Sequence, residues 1–197
     1  MRHSIPFKEH KGLKISNESI LIENEKSPLS IAGEKLAEEK SLQSEFKNLD
    51  SVYSSNYVRA MSTAKYFASA NNLKVNIDEA FNERVHGINS WDELPQEFEL
   101  KQFNDENYKV GYGENQKEVQ DRMYNRLMNV INQNRGKKIA IVSHSTAIAF
   151  LLKKWCEISY GSEYKFNNNV FFDGKWEHLQ IFKLEFEDDN LVNIEVI

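Results

Sequence analysis

The sequence predicts an α/β fold of three layers, αβα, in which helices cover both faces of a mostly parallel sheet. Segments with helical and strand-like patterning alternate through most of the 197 residues, and parallel strands need the crossover connections that such alternation supplies. The run Ile139-Ala140-Ile141-Val142 is continuously apolar and largely β-branched, as expected of a strand buried on both faces. Only the last part of the chain leaves the alternation and closes on consecutive strands.

Residues 5–26 are polar and without clear period, and read as a loop that borders a site. Ser27-Pro28-Leu29-Ser30 then reads as a capped helix start, followed by an amphipathic helix ending near Asn48. Residues 51–54 are short and β-prone, and residues 57–70 have helical spacing with Ala60, Ala64, Phe67 and Ala68 on one side. A strand is expected over 73–77, a helix over 91–103 and a long helix over 114–134, the last carrying Val119, Met123, Leu127, Val130 and Ile131 along one side. After the strand at 139–142, a helix over 145–155 precedes strands at 169–172, 179–186 and 191–196, set apart by Asp-Gly and Asp-Asp-Asn turn signals. With no repeat and no low-complexity linker, one domain over residues 1–197 is expected.

The apolar share of 40% against 28% charged residues is that of a soluble globular chain with a substantial core. A net charge of −5 argues against a general basic face for nucleic acid or anionic membrane, so a phosphate site must be a local positive pocket. The single Cys156 leaves no intrachain disulfide and no cysteine-built metal site, and is expected to be a buried, inert thiol. No stretch reaches the roughly 18 apolar residues of a membrane span, and no apolar run follows Arg2 as in a signal peptide. The expected location is the cytoplasm; oligomeric state has no readable signal.

Ligands of open α/β sheets bind at the carboxyl ends of strands, so polar residues straight after strands are the first candidates. His144 follows the 139–142 strand within Val142-Ser143-His144-Ser145 and precedes a helix whose free N–H groups favour an anion. Arg59 lies in Ser54-Ser55-Asn56-Tyr57-Val58-Arg59-Ala60-Met61-Ser62-Thr63-Ala64, at a strand-to-helix turn where a guanidinium can hold phosphate through two hydrogen bonds. Glu83 lies in Phe81-Asn82-Glu83-Arg84-Val85-His86-Gly87, and Arg2-His3 opens the chain. Singly, each has a plainer reading: a capping histidine, a surface arginine, a solvated carboxylate paired with Arg84, an exposed terminal pair. Their company and order favour the functional one.

Taken in order, these segments resemble the histidine phosphatase (phosphoglycerate mutase-like) superfamily, in its small phosphatase branch. The family's opening Arg-His-Gly is similar to Arg2-His3-Ser4, its Pro-Leu-x-x-x-Gly helix to Pro28-Leu29-Ser30-Ile31-Ala32-Gly33, and its Ser-Ser-x-x-x-Arg-Ala-x-x-Thr-Ala to residues 54–64. Its Glu-x-x-x-Gly resembles Glu83 through Gly87, its Gly-Glu helix with a later Arg resembles Gly113, Glu114 and Arg122, and its Val-Ser-His-Gly resembles Val142-Ser143-His144-Ser145. The resemblance implies a phosphoglycerate mutase-like fold and a phosphomonoesterase that needs neither metal nor cofactor. It would hydrolyse a small phosphorylated metabolite through a phosphohistidine on His3. Arg2, Arg59 and His144 would surround the transferring group and neutralise its oxygens, Glu83 would act as general acid and then base, and Ser4 and Ser145 would be further substrate contacts. A phosphoglycerate mutase, or a catalytically impaired member that binds phosphorylated ligands, are the alternatives.

Departures from the family pattern set further expectations. Ser4 and Ser145 stand where glycines are usual, adding a Cβ and a hydroxyl beside the phosphate, so altered rate or specificity is expected rather than loss. Ile5-Pro6 replaces the usual Glu-Thr, so contacts from that region are not carried over. The family places an apolar strand before its Arg-His-Gly, where this sequence has only Met1. The sheet is therefore expected to lack an interior member, the nucleophile to sit near a free end with added ordering entropy, and the functional chain to begin a few residues upstream. Specificity is expected to reside in residues 5–26 and 84–112, with Trp91, Tyr108 and Tyr112 as candidate lining of a leaving-group pocket. His10, His86 and His178 have no motif context, and His86 is the one expected nearest the pocket.

Overall fold

The computed structural model describes residues 1–7 and 24–197. Most of the expected loop at residues 5–26 lies outside these, as does His10. The alternation in the sequence becomes α1 (Ile31–Ser41), β1 (Ser51–Ser54), α2 (Val58–Ser69), β2 (Val75–Ile77), α3 (Phe98–Asn104), α4 (Gln116–Gln133), β3 (Ile139–Val142) and α5 (Ser145–Leu152). Ser30 caps α1 by accepting the Gly33 N–H, and Asn115 with Glu118 forms a reciprocal capping box on α4.

The three strands form a parallel sheet in the order β2-β1-β3. Side-chain alternation divides them between two layers. Val52, Ala140 and Val142 pack with Ala37 of α1 and Ala60, Ala64 and Phe67 of α2. Tyr53, Ile139 and Ile141 pack with Val119, Met123 and Leu127 of α4 and Ala147, Phe150 and Leu151 of α5. Helices thus cover both faces, the αβα sandwich that the patterning predicts, and burying a side chain such as Phe67 fully contributes roughly 1.5–3 kcal/mol.

The rest of the chain is antiparallel. β4 (Glu157–Ile158), β5 (Tyr164–Phe166) and β6 (Asn169–Phe172) form one small sheet, and β7 (Phe182–Glu187) pairs with β8 (Asn190–Val196) in a hairpin. Ile148 and Leu152 of α5 join Phe172, Phe182 and Ile194 in a third apolar cluster that ties these strands to the sandwich. Cys156 is buried there, its thiol pushed up to about 12 by burial.

Several boundaries differ from expectation for local reasons. The helix expected over 91–103 splits into a 3-10 turn at Trp91–Glu93 and α3, because Pro95 lacks an N–H and keeps Leu94 extended, with Glu97 then left-handed at φ 57°. The first helix ends at Ser41 rather than near Asn48; a separate 3-10 turn, Ser44–Phe46, turns Phe46 edge-on to Phe67 at 5.1 Å. β4 and β5 are too short for a period to show in sequence. β3 is buried at Ala140 and Val142 but only half-buried at Ile139 and Ile141, because an apolar cavity opens beside them. Among the described residues, no helix is long and apolar enough to cross a membrane.

The interior strand position expected to be empty is filled for three residues. Arg2 bridges Ser143 in parallel sense, with His3 N–H on the Ser143 carbonyl at 3.0 Å and Ser143 N–H on the Met1 carbonyl at 2.8 Å. Across the other edge, Arg2 N–H meets the Gln180 carbonyl at 2.9 Å and Leu179 N–H meets that of His3 at 3.3 Å.

The segment continues under α1, where Pro6 bridges Leu29 and a Cβ on Gly33 would lie 2.1 Å from the Ile5 carbonyl oxygen. The glycine of the Pro-Leu-x-x-x-Gly motif is therefore a point of backbone contact. Gly33→Ala is expected to destabilise the fold by about 1–3 kcal/mol through overpacking, read as a lower urea midpoint; an unchanged midpoint would mean that Ile5 yields freely.

Candidate active site

Three strand ends and helix starts bring the site together. His3 follows the paired Arg2, Arg59 lies in the first turn of α2 after β1, and His144 is the N-cap residue of α5 after β3. All three are buried. His3 Nδ1–H donates to the Ser4 carbonyl at 2.7 Å, which leaves Nε2 as the acceptor of Arg59 Nε–H at 3.0 Å. The same guanidinium donates through Nη2 to His144 Nδ1 at 3.1 Å, and His144 Nε2–H then donates to Ser55 Oγ at 2.8 Å. These tautomers follow from the partners. The two rings lie 5.2 Å apart. The outer edge of Arg59 holds two oxygens of Asn24, its carbonyl and, at 3.0 Å, its Oδ1. Those are the places that anion oxygens would take on this fork.

Glu83 sits in the loop after the 3-10 turn Glu79–Phe81. Its Oε1 accepts the N–H of Ala147 at 2.9 Å and of Arg84 at 3.0 Å, and Oε2 lies 3.4 Å from Thr146 N, so the carboxylate rests on the first turn of α5. Arg122 clamps that loop from α4. Nε and Nη2 fork onto Glu114 at 2.7 and 2.9 Å, and the remaining N–H groups reach the carbonyls of Ala80, Asn82 and Glu83 at 2.8, 3.0 and 3.2 Å. Glu114 in turn accepts the Val85 N–H at 3.0 Å. Gly87 has φ 79°, and a Cβ there would lie 2.0 Å from the Val110 carbonyl oxygen, so the glycine of Glu-x-x-x-Gly is where two loops touch.

Other sequence candidates are placed differently. Arg2 turns toward the rim, donating to the carbonyls of Trp176 and Glu177 at 3.3 and 3.2 Å, with its Nε buried and without a partner among the described residues. Ser4 is fully buried; its hydroxyl donates to the Gly33 carbonyl of α1 at 2.7 Å and its backbone N–H to Thr63 Oγ1 of α2 at 3.0 Å. Ser145 opens α5, half-buried, beside His144. Trp91 packs edge-on to His86 at 5.1 Å, whereas Tyr108 packs on Phe98 and the Tyr112 hydroxyl donates to the Ile88 carbonyl at 2.7 Å.

Three neighbours of the site were not legible as such. The His178 ring lies 6.3 Å from that of His3, brought there by the turn before β7, and nothing in its sequence context marks it. Tyr57 lies 4.9 Å from the His144 ring and under the Arg59 guanidinium at 5.1 Å; its place within the Ser-Ser-x-x-x-Arg motif was the available signal. Asn24 belongs to a stretch without a readable pattern.

Burial, then the Arg59 charge, holds His3 well below the ordinary histidine range, against the opposing effect of its bond to Ser4. Burial and Arg59 do the same to His144, with His3 next, and burial, Arg84 and Arg59 bring His86 to about 4. All three imidazoles are neutral at pH 7. The buried Met1 ammonium is lowered to about 5. Each group binds its proton more readily in the unfolded chain, so stability rises with pH across the gap between folded and unfolded values. The thermal midpoint is expected to climb from pH 4 to about pH 8 and then level; a flat or falling profile over that window would contradict these assignments.

The fold recurs in solved structures. Mycobacterial glucosyl-3-phosphoglycerate phosphatase is 18% identical with a TM-score of 0.60, over 78% of this chain and 76% of that one. Phosphoserine phosphatase from Entamoeba histolytica, in complex with 3-phosphoglyceric acid, is 23% identical with a TM-score of 0.58, over 77% and 75%. A mycobacterial hydrolase is 15% identical with a TM-score of 0.63, over 100% and 85%. At these identities the likeness establishes the fold. No curated protein matches the sequence significantly. The sequence profile of the histidine phosphatase superfamily (branch 1) matches residues 12–186. On a match of that extent, with the phosphoglycerate mutase-like sandwich beneath it, the chain belongs to the histidine phosphatase superfamily, branch 1.

Proposed function

We propose that the protein is a metal-independent phosphomonoesterase that hydrolyses a small phosphorylated metabolite through a phosphohistidine on His3. The observation that carries this reading is the Arg59 guanidinium spanning both imidazoles, with His3 Nε2 left unprotonated. In the first step, with Glu83 as the carboxylic acid beside the bound ester, the Nε2 lone pair attacks phosphorus, the ester P–O bond breaks, and the leaving alkoxide takes the Glu83 proton. In the second, the Glu83 carboxylate takes a proton from water, the water oxygen attacks phosphorus, and the P–N bond breaks to release phosphate and neutral His3. Arg59 supplies positive charge to the non-bridging oxygens, which displace those of Asn24, while His144 flanks the group and Arg2 adds positive charge from the rim. Likeness to structures of two phosphatases, acting on glucosyl-3-phosphoglycerate and phosphoserine, supports hydrolysis over return of the phosphoryl group to substrate.

With p-nitrophenyl phosphate and excess chelator, phosphate release is expected to persist. It should fall by at least about 10³-fold in His3→Ala and by roughly 10²–10⁴-fold in Glu83→Gln. Retained turnover in His3→Ala excludes the reading. Arg122→Lys loses the fork on Glu114 and most of the carbonyl clamp, and is expected to lower kcat by about 10²-fold with little change in KM. Undiminished kcat in that variant would show that the 80–85 loop holds Glu83 unaided.

A further inference from the structure

Three imidazoles stand on adjoining segments beside the end of β3. Ser143 pairs with Met1 and His3 on one side of residues 1–3, and on the other Arg2 N–H meets the Gln180 carbonyl and Leu179 N–H that of His3. His144 follows the first neighbour and His178 belongs to the second. His3 therefore lies between them, its ring 5.2 Å from that of His144 and 6.3 Å from that of His178. A tight turn sets His178 there: Gln180 N–H closes on the Glu177 carbonyl at 3.3 Å, and the buried Leu179 adopts φ 57°. A bulky residue in left-handed backbone is strained, and such strain gathers at functional sites. The carbonyls of Trp176 and Glu177, beside His178, hold Arg2 through Nη1, while Arg2 Nε stays buried without a partner among the described residues. Burial first, then Arg59, Arg2 and His178, lower the proton affinity of His3.

On the opposite flank the donors are already committed. His144 accepts from Arg59 at Nδ1 and gives its Nε2–H to Ser55 Oγ, so it keeps no N–H for an anion. The outer edge of Arg59, which holds Asn24, can serve two oxygens. A transferring phosphoryl group carries three non-bridging oxygens. We propose that His178 is a further catalytic residue, contacting the non-bridging oxygen that Arg59 leaves unserved. The inference rests on the phosphohistidine reading above and adds to it a contact from the far side of His3. The half-buried His178 ring and Arg2 Nε then form a second donor pair facing the Arg59 and His144 pair, and the strained turn at 177–180 positions both.

The test uses the full chain, with p-nitrophenyl phosphate for turnover and inorganic phosphate for binding. His178→Ala is expected to lower kcat/KM and phosphate affinity each by roughly 10–10²-fold. His178→Gln, which keeps an N–H donor, is expected to restore most of both. In protein carrying nitrogen-labelled histidine, NMR under phosphate titration is expected to shift the ring nitrogens of His178, assigned from their loss in His178→Gln. Ring signals unmoved by saturating phosphate overturn the inference whatever the kinetics, as does a His178→Ala variant within about twofold of the parent in both measurements. Equal losses in the alanine and glutamine variants, with a lowered thermal midpoint, would show packing against His3 alone and also overturn it. Phosphate binding is read without turnover, so a His3→Ala variant that stayed active would sink the phosphohistidine reading while the His178 ring shifts are scored separately.

Discussion

The backbone pairing of Arg2 with Ser143 sets the separation of the two imidazoles, and most of the site follows from it. In that parallel register His3 falls opposite His144, so the two side chains leave neighbouring strands on the same face. Strand spacing of about 4.8 Å then places the rings close together, and they lie 5.2 Å apart. One guanidinium is wide enough to touch both, and Arg59 does so from the start of α2. A slip of one residue would turn one imidazole to the opposite face and dismantle the arrangement. The hydrogen bond between His3 N–H and the Ser143 carbonyl is thus as much a part of the candidate chemistry as the rings themselves.

The electrostatics follow from the same crowding. Arg2 and Arg59 act on both histidines of a buried pair, and Arg122 on His144 as well, in a protein whose net charge is −5. Protonating either ring would add a further positive charge out of water, so both remain neutral, which is what a nitrogen nucleophile requires. Glu83 is the counter-charge, favouring the charged forms of Arg2 and Arg59. Its own place is secured from a distance by Arg122 and Glu114, residues whose motif was visible in sequence although their positioning role was not.

How much could be read in advance depended on whether a contact was local or long-range. Strand β3, the capped helix start at Ser30 and the long α4 carried period and capping signals within a few residues, and they formed. Arg59, Glu83 and His144 stood at element boundaries, where α/β folds gather polar groups, and their neighbourhood was foreseeable. His178 and Asn24 reach the site through turns with no sequence signature. The break at Pro95 was written in the chain, but apolar spacing across it favoured one helix. Ser4 was read as a substrate contact in place of a glycine; the bond of its hydroxyl to the Gly33 carbonyl had no sequence signal, since it depends on the packing of Ile5 under α1.

Asn24 on the outer edge of Arg59 has its own consequence. The guanidinium's outer N–H groups are held by a peptide oxygen and a neutral amide oxygen of the protein itself. Under the proposed function, an incoming ester would trade those acceptors for its own, and only the difference in strength between the two sets would count toward affinity. Neutral or singly charged molecules gain little by the trade, whereas a doubly charged group gains a great deal. Under the proposed function, such a built-in competitor would make the site a discriminator of ligand charge before any contact with the rest of the molecule is made.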